Sequence, residues 1–295
     1  MNLNSPYFNA VTKLILIFIF VCIPVKILAQ SEMEYANWLF SEQDYFRAIT
    51  EYKKLFYYSD SNDTENECLL KISNAYLKSN KFKSSIRYSS LLLNQPNLSV
   101  QQISTANNFI GLSYYGLKVF SMAEDYFKKT ENSDTTGFSL FYLALIDAEK
   151  SRYKEASIKY FDVYQNYPKS KLAELSKQLS SDVLEGYKVK SKNSYFAALL
   201  STIIPGSGQI YCNHYYDGLQ AFLYVSAFAF ATYASYKYDD KLNNNYVNTY
   251  VAISITSLFH IGNIIGAQRT ASYYNLKHKQ YFLNNIREKA FSIDY

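Results

Sequence analysis

The chain has 295 residues, a length that allows one large domain or two smaller ones. Its formal net charge is only +5, from 30 Lys and Arg against 25 Asp and Glu, which argues against a dedicated nucleic-acid-binding surface. Aromatic residues make up 18% of the chain, whereas Gly and Pro number 9 and 5. This composition predicts a mostly helical protein with ring-rich cores rather than a turn-rich all-β protein.

Residues 1–29 are typical of an export signal. Lys13 precedes an apolar run from Leu14 to Val25, which is too short to span a bilayer comfortably but has the length of a signal-peptide core. We predict cleavage after Ala29. Two alternatives are lipoprotein processing at Cys22, which the bulky Val21 disfavours, and an uncleaved signal anchor. All three place the chain from about residue 31 outside the cytoplasm.

An aromatic residue is followed three positions later by a small residue four times. The pairs are Tyr45 and Ala48, Phe82 and Ser85, Phe120 and Ala123, and Tyr153 and Ala156. The small residues are 37, 38 and 33 positions apart, a spacing typical of stacked helical hairpins. The pattern resembles the tetratricopeptide repeat, whose period is about 34 residues. In that family an aromatic residue opens the second helix, and the small residue lets the two helices approach closely.

Other positions fit this resemblance unevenly. Twelve residues before each small residue, where the family has Gly or Ala, stand Ala36, Ser73, Gly111 and Ala144. A further aromatic position on the same helix is filled by Tyr76 and Tyr114, but by Leu39 and Asp147 in the other two repeats. We read all these aromatic and small residues as core residues rather than ligands.

The predicted repeat region covers residues 32–186. It contains four helical hairpins to about residue 170 and a solvating cap helix from Lys171 to Gly186. The resemblance implies a solenoid that binds a peptide or partner protein on its concave surface.

The predicted membrane module, residues 195–290, begins with three uncharged segments. Residues 195–204 are expected to form a re-entrant or interfacial helix. Residues 218–236 and 246–267 can each span a bilayer, because about twenty helical residues cover about 30 Å. A polar turn between them predicts an antiparallel hairpin. The fold class we expect is therefore all-α, a repeat solenoid followed by a transmembrane hairpin. A soluble helical bundle is the alternative, because the segments contain many Ser, Thr, Tyr and Asn residues.

Two sequence blocks frame this hairpin. The first is Pro205-Gly206-Ser207-Gly208-Gln209-Ile210-Tyr211 with Gly218, and the second is Gly262-Asn263-Ile264-Ile265-Gly266-Ala267 with Asn275. Together they resemble the small bacterial two-transmembrane domain family, which typically reads Pro-Gly-x-Gly-Gln-x-Tyr and then Gly at the start of a membrane helix. Asn213-His214 depart from the family, which often has Gly there, so we expect a turn of different shape. The resemblance implies a fold and no defined activity.

The Pro-Gly break has a physical consequence. It frees backbone groups that lipid cannot satisfy, so a membrane segment tolerates it only where protein or water covers it. We expect Gln209 and Asn263 to lie in contact and to satisfy these groups as a structural staple, with a substrate or ion site as the alternative. Gly262 and Gly266, four residues apart, predict a helix face on which another membrane protein can pack.

Residues 269–290 carry basic and apolar residues in alternation. This pattern is typical of an amphipathic helix at an anionic membrane surface, with a helix packed back on the module as the alternative. The basic residues that flank the predicted spans normally mark the cytoplasmic side of a membrane. The predicted signal peptide instead places these flanks outside the cytoplasm, so the two topology signals conflict. We expect two spans plus a re-entrant helix; three spans would move the tail inside.

The sequence shows no motif for catalysis. His214, His260 and His278 are the only histidines, and none stands at metal-ligand spacing. Gly206 and Gly208 lack the rest of a phosphate-binding loop. We therefore expect no enzyme, no cofactor, no metal and no nucleic-acid partner. The sequence favours an exported, inner-membrane-anchored scaffold with its repeats in the periplasm, in contact with membrane lipid and with an unidentified protein or peptide. The alternatives are a component of membrane transport or protein insertion, and a cell-envelope assembly factor.

Overall fold

The computed structural model of the protein describes residues 26–242 and 245–292. Regular structure in these ranges is entirely helical, without a strand. The predicted all-α class is therefore confirmed. The predicted signal peptide lies outside the described residues except for residues 26–29, which begin the first helix.

The described chain divides into two compact units. The first contains the residues up to 146 together with 162–173, and the second contains 147–161 and the residues from 174 onward. This division differs from the predicted boundary between 186 and 195. Within the second unit the Tyr153 ring lies against Gly186 and contacts Phe282, with ring centroids 5.6 Å apart. These contacts tie the end of the predicted repeat region to the C-terminal helix.

The helices up to residue 182 follow one another through short connections. They are α1 (Lys26–Ser41), α2 (Tyr45–Tyr58), α3 (Asn62–Lys78), α4 (Phe82–Leu93), α5 (Val100–Gly116), α6 (Phe120–Thr130), α7 (Phe138–Glu149), α8 (Tyr153–Asn166) and α9 (Ala173–Asp182). Short 3-10 helices cover Glu131–Ser133 and Val183–Lys188. From α1 to α6, each helix packs on the next.

One turn geometry recurs in these connections. At Gln43, Asn80, Lys118 and Ser151 the backbone takes the left-handed conformation, with φ between 58° and 61°. The N–H of Gln43 donates to the Phe40 carbonyl at 3.0 Å, and the next N–H donates to the Leu39 carbonyl at 2.9 Å. The other three turns repeat both bonds. This is the Schellman arrangement, which satisfies the last carbonyls of a helix as the chain leaves it.

The repeated small residues lie where helices approach closely. Ala48, Ser85 and Ala123 are fully buried. A Cβ built on Gly111 would lie 2.9 Å from the Phe127 ring, so a larger residue would clash unless the ring moved. Among the aromatic residues that open the second helices, Phe82 packs over Gly116.

In three repeats the residue at the further aromatic position contacts the residue twelve positions later in the sequence. Tyr76 stacks on Tyr88 with ring centroids 5.3 Å apart, and Tyr114 stacks on Tyr126 at 5.7 Å. At the equivalent sequence positions of the fourth repeat, Asp147 forms an ion pair with Lys159 at 2.5 Å. An ion pair thus stands where two other repeats have a tyrosine pair.

The C-terminal part contains two short helices and two long ones. They are α10 (Ser194–Ile203), α11 (Ser207–Tyr211), α12 (Tyr215–Lys241) and α13 (Val247–Ala290). Helices α12 and α13 pack along one another; the rings of Phe228 and Phe259 stack at 4.0 Å, and the hydroxyls of Thr232 and Thr256 are 2.7 Å apart. Helices α10 and α11 both pack on α13.

The predicted span at residues 246–267 and the predicted tail helix at residues 269–290 form one continuous helix. Helix α13 runs for 44 residues, about 66 Å at 1.5 Å per residue, without interruption. After Gly266 it contains neither Gly nor Pro, so nothing local stops it. Within the described ranges α13 is the one helix that is long and apolar enough to cross a membrane. The other predicted span, residues 218–236 in α12, does not reach that level of hydropathy.

Candidate functional site

Three glycines let the backbones of α10, α11 and α12 meet at the Pro205 break. Gly206 has a φ of 85°, and a Cβ built on it would lie 1.9 Å from the Gly218 carbonyl oxygen. A Cβ on Gly208 would lie 2.0 Å from the Ala197 carbonyl oxygen. A Cβ on Gly218 would lie 2.6 Å from the Gly206 carbonyl oxygen. Because these neighbours are backbone atoms, the positions cannot carry a side chain without moving the chain.

The contact predicted between Gln209 and Asn263 is present. The Gln209 Nε2 donates to the Oδ1 of Asn263 at 3.1 Å and to its carbonyl oxygen at 3.2 Å. The same Oδ1 accepts the Gly206 N–H at 3.1 Å, and Asn263 Nδ2 donates to the Ser201 carbonyl at 3.1 Å. Asn263 thus pairs with both a donor and an acceptor at the break.

Ser201 completes the network. Its hydroxyl donates to Gln209 Oε1 at 2.9 Å and accepts the Gly208 N–H at 2.9 Å. The side chains of Ser201, Gln209 and Asn263 are all buried. We call Ser201, Gly206, Gly208, Gln209 and Asn263 the Pro-Gly staple. Each of its side-chain oxygens and amide nitrogens has a partner inside the staple, which is the arrangement that a buried polar cluster needs for stability.

Tyr211 and Asn275 hold the segment before α10. The Oδ1 of Asn275 accepts the Lys192 N–H at 2.6 Å, and its Nδ2 donates to the Lys192 carbonyl at 2.8 Å. The Lys192 ammonium lies 4.4 Å from the centre of the Tyr211 ring. The second sequence block therefore contacts the chain at the break through Asn263 and before α10 through Asn275.

Gly262 and Gly266 were predicted to form one packing face, but they lie in different surroundings. A Cβ on Gly266 would lie 3.5 Å from Gln209 Nε2, so this glycine faces the staple. A Cβ on Gly262 would meet nothing within 4 Å. Gly262 instead lines an open apolar groove of about 360 Å³ between α12 and α13, together with Val225 and Phe259.

The turn at Asn213 adopts the conformation that glycine favours. Its φ is 63°, its N–H donates to the Ile210 carbonyl at 2.9 Å, and the His214 N–H donates to the Gln209 carbonyl at 2.9 Å. This is the same Schellman turn that joins the helical hairpins. Asn tolerates the left-handed region better than most residues, so the departure from the family pattern preserves a glycine-like shape.

Sequence reasoning missed the role of Asp239. This carboxylate is fully buried and accepts the Thr249 N–H at 2.9 Å, the Thr249 hydroxyl at 2.8 Å and the Asn248 amide at 2.8 Å. Burial alone would raise the pKa of Asp239, but the hydrogen bonds from Asn248 and Thr249 together lower it. Asp239, on α12, caps the N-terminus of α13, and only its position in a short polar turn hinted at this.

The end of α13 packs on other elements of the second unit. Arg287 donates to both carboxylate oxygens of Glu149, at 2.5 and 2.7 Å. The Lys289 ammonium lies 2.8 Å from an Asp182 oxygen, and Ile286 is buried on the same helix. This arrangement corresponds to the packed alternative for residues 269–290. The face of the tail that carries Ala271, Tyr274 and Ile286 is therefore covered by protein.

The described residues contain no group of three side chains suited to holding a metal ion. The His214 ring lies 3.0 Å from Asp217, an exposed pair at the start of α12. Comparisons of the chain with models of protein families, with curated proteins and with solved structures find no match.

Proposed function

We propose that this protein is a non-enzymatic, exported scaffold that is anchored in the inner membrane of a bacterial cell envelope. A tetratricopeptide-like solenoid, facing the periplasm, would bind a protein or peptide, and the C-terminal hairpin would hold it at the membrane. The observation that carries the proposal is the recurrence of one helical unit with the same turn at Gln43, Asn80, Lys118 and Ser151. A regular stack of such units serves binding rather than catalysis.

The surface of the hairpin supports a membrane anchor. Large apolar side chains are exposed along both long helices, among them Leu219, Leu223 and Phe230 on α12 and Val251, Leu258 and Ile265 on α13. Contiguous exposed apolar surface of this kind is unusual on soluble proteins. On α12 the charge-free stretch runs between Asp217 and Lys237, a separation of about 30 Å by helical rise, which matches the hydrocarbon thickness of a bilayer.

Exposed tyrosines mark both ends of this stretch. Tyr216 and Tyr236 stand about 30 Å apart along α12, and Tyr250 and Tyr273 about 34 Å apart along α13, by helical rise. Tyrosine is enriched at membrane–water interfaces, where its ring lies in the apolar layer and its hydroxyl in water. The four rings therefore fit two interfacial belts.

The Pro-Gly staple favours an anchor over a transport or insertion role. Its side-chain groups bond to one another and to the backbone freed at the break, which leaves this network fully engaged. A substrate pathway would need some of these polar groups to face a ligand. A cell-envelope assembly factor would have the same structure as the scaffold but would bind a different partner protein. The crosslinking experiment described next tests both.

Site-specific photo-crosslinking in native membranes tests the scaffold. A photoreactive amino acid would replace an exposed residue of the first unit, such as Trp38 or Phe46, in the full chain. We expect position-dependent crosslinks to one protein from such sites. The control places the same photoreactive amino acid at Leu223 on α12. From this site we expect crosslinks to lipid and none to the protein that the first unit captures. Protein crosslinks from α12 and none from the first unit would contradict the scaffold and indicate that the membrane module binds the partner.

A further inference from the structure

Basic residues gather at one end of the hairpin. We call this end the base; there α12 has Tyr216 and Asp217 in its first turn, and α13 passes Arg269 and Tyr273. The base carries Lys190, Lys192, Arg269, Lys277 and Lys279, which we call the basic collar. No Asp or Glu occurs from residue 186 to 216 or from 247 to 287. Against these five basic residues the same end of α12 has Asp217, so the net charge of the base is positive.

The opposite end is balanced in charge. Near this tip, Lys237 and Lys241 are offset by Asp239 and Asp240. The positive charge is thus confined to one end of a unit about 30 Å long, the hydrocarbon thickness of a bilayer. In a membrane, the basic residues would therefore attract anions at one surface of the bilayer only.

The basic residues on α13 fall into two classes. Arg287 and Lys289 form ion pairs with Glu149 and Asp182. Arg269 and Lys277 are exposed, and among the described residues neither has a carboxylate within ion-pair distance. The sequence alone places these four residues and Lys279 in one amphipathic tail. In the structure Lys279 is half-buried, and Arg269 and Lys277 are the exposed residues of the five that form no ion pair with a described carboxylate.

The direction of the helix brings these two charges to the membrane surface. Helical side chains tilt toward the N-terminus of their helix, and for α13 that direction leads back to the hairpin and its belt of tyrosines. Lys277 stands about 12 Å beyond Arg269 by helical rise, a distance that the long lysine side chain shortens. Both charged groups therefore reach the headgroup layer, which extends about 5–8 Å beyond the hydrocarbon on each side.

From this geometry we infer that the basic collar binds the phosphate groups of anionic phospholipids, with Arg269 and Lys277 making the contacts from α13. The inference rests on the proposed membrane anchor and names the lipid class at its base. The exposed tyrosines Tyr195, Tyr215, Tyr216 and Tyr273 lie at the same end and support an interfacial position independently of charge.

The test uses the full chain in vesicles of equal parts phosphatidylcholine and phosphatidylglycerol. After extraction in mild detergent, the ratio of the two lipids retained by the protein is measured by mass spectrometry. We expect the wild-type protein to retain phosphatidylglycerol preferentially. In the double variant Arg269→Gln/Lys277→Gln the preference should fall about fivefold for each charge removed, and it should weaken with added salt.

Lys289→Gln is the matched control, because it removes one charge from the same helix at a site that is already ion-paired. It should retain the preference. The charge-conserving variant Arg269→Lys/Lys277→Arg should also retain it, which separates loss of binding from misfolding. An unchanged preference in the Gln double variant, or no preference in the inserted wild-type protein, would overturn the inference. A wild-type protein that alkaline extraction removes from the vesicles would overturn the membrane anchor as well.

Discussion

Asn263 accepts the backbone N–H of Gly206 through its side-chain oxygen at 3.1 Å, across 57 residues of sequence. The same side chain donates to the Ser201 carbonyl at 3.1 Å. One asparagine on α13 therefore satisfies backbone groups on both sides of the break between α10 and α11. This relationship makes the two sequence blocks a single structural unit.

Replacing Asn263 by Ala should destabilise the C-terminal unit by about 3 kcal/mol. The change leaves the Gly206 N–H and the Ser201 carbonyl buried without that partner, and each such group costs about 1–3 kcal/mol. The measurement is chemical unfolding in detergent micelles followed by circular dichroism. Asn285→Ala, at an exposed position of the same helix, should change stability by less than about 0.5 kcal/mol. Equal effects from the two variants would contradict the staple.

Gly208→Ala should be far more damaging than Gly262→Ala. The new Cβ at residue 208 would lie 2.0 Å from a backbone oxygen, whereas at 262 it would meet nothing within 4 Å. We expect a loss of at least about 3 kcal/mol for the first, as for severe overpacking. The second should be neutral, or stabilising by up to about 1 kcal/mol from helix propensity. Thermal unfolding of both variants in the same detergent checks this; a stable Gly208→Ala protein would show that the close approach is not required.

Lys118→Gly should stabilise the first unit. Lys118 has a φ of 60°, which costs a residue with a side chain about 1–2 kcal/mol, and glycine removes most of that cost. The net gain should be about 1 kcal/mol in the free energy of unfolding. Lys71→Gly, inside α3, is the control and should lose about 1 kcal/mol, since glycine is unfavourable in a helix interior. If both substitutions destabilise, the turn is not held in the left-handed conformation.

Arg287→Ala should destabilise the second unit by about 3 kcal/mol, because it removes this ion pair from the carboxylate of Glu149, whose side chain is 5% exposed. Lys289→Ala should cost less than about 1 kcal/mol, since its ion pair with Asp182 is exposed. A double-mutant cycle with Glu149→Gln should show strong coupling to Arg287. Additive effects would indicate that the tail does not dock through this pair.

Asp239 should make stability depend on pH at the acid end. Its pKa is lowered in the folded state, so its contribution is present above the unfolded pKa of about 3.9 and is lost as the pH falls through the folded pKa. Asp239→Asn should therefore lose stability at pH 7, and the difference from wild type should narrow as the pH falls below about 4. Asp240→Asn, at an exposed neighbour, is the control and should change the unfolding midpoint at pH 7 far less than Asp239→Asn. If the difference in stability between wild type and Asp239→Asn stays constant from pH 7 to pH 2, Asp239 does not cap α13 as a carboxylate.

Much of the architecture follows from the sequence because local patterns determine it. The aromatic and small residues at 37- and 38-residue spacing predicted helical hairpins, and the helices α2, α4 and α6 begin at Tyr45, Phe82 and Phe120. The Pro205-Gly206 break and the contact between Gln209 and Asn263 were also predictable. Proline inside a helix removes an N–H donor and kinks or breaks the helix, and the backbone groups that it frees must find a partner.

The tertiary structure decided how residues of similar type differ. Gly262 and Gly266 look alike in sequence, yet one lines an open groove and the other faces Gln209. Arg287 and Lys277 look alike as well, yet only Arg287 meets a buried carboxylate, 138 residues away in the chain. Helical periodicity carries information over a few residues, so it predicts elements and faces. Which group meets a given face depends on contacts between distant segments, and these are formed only when the whole unit packs.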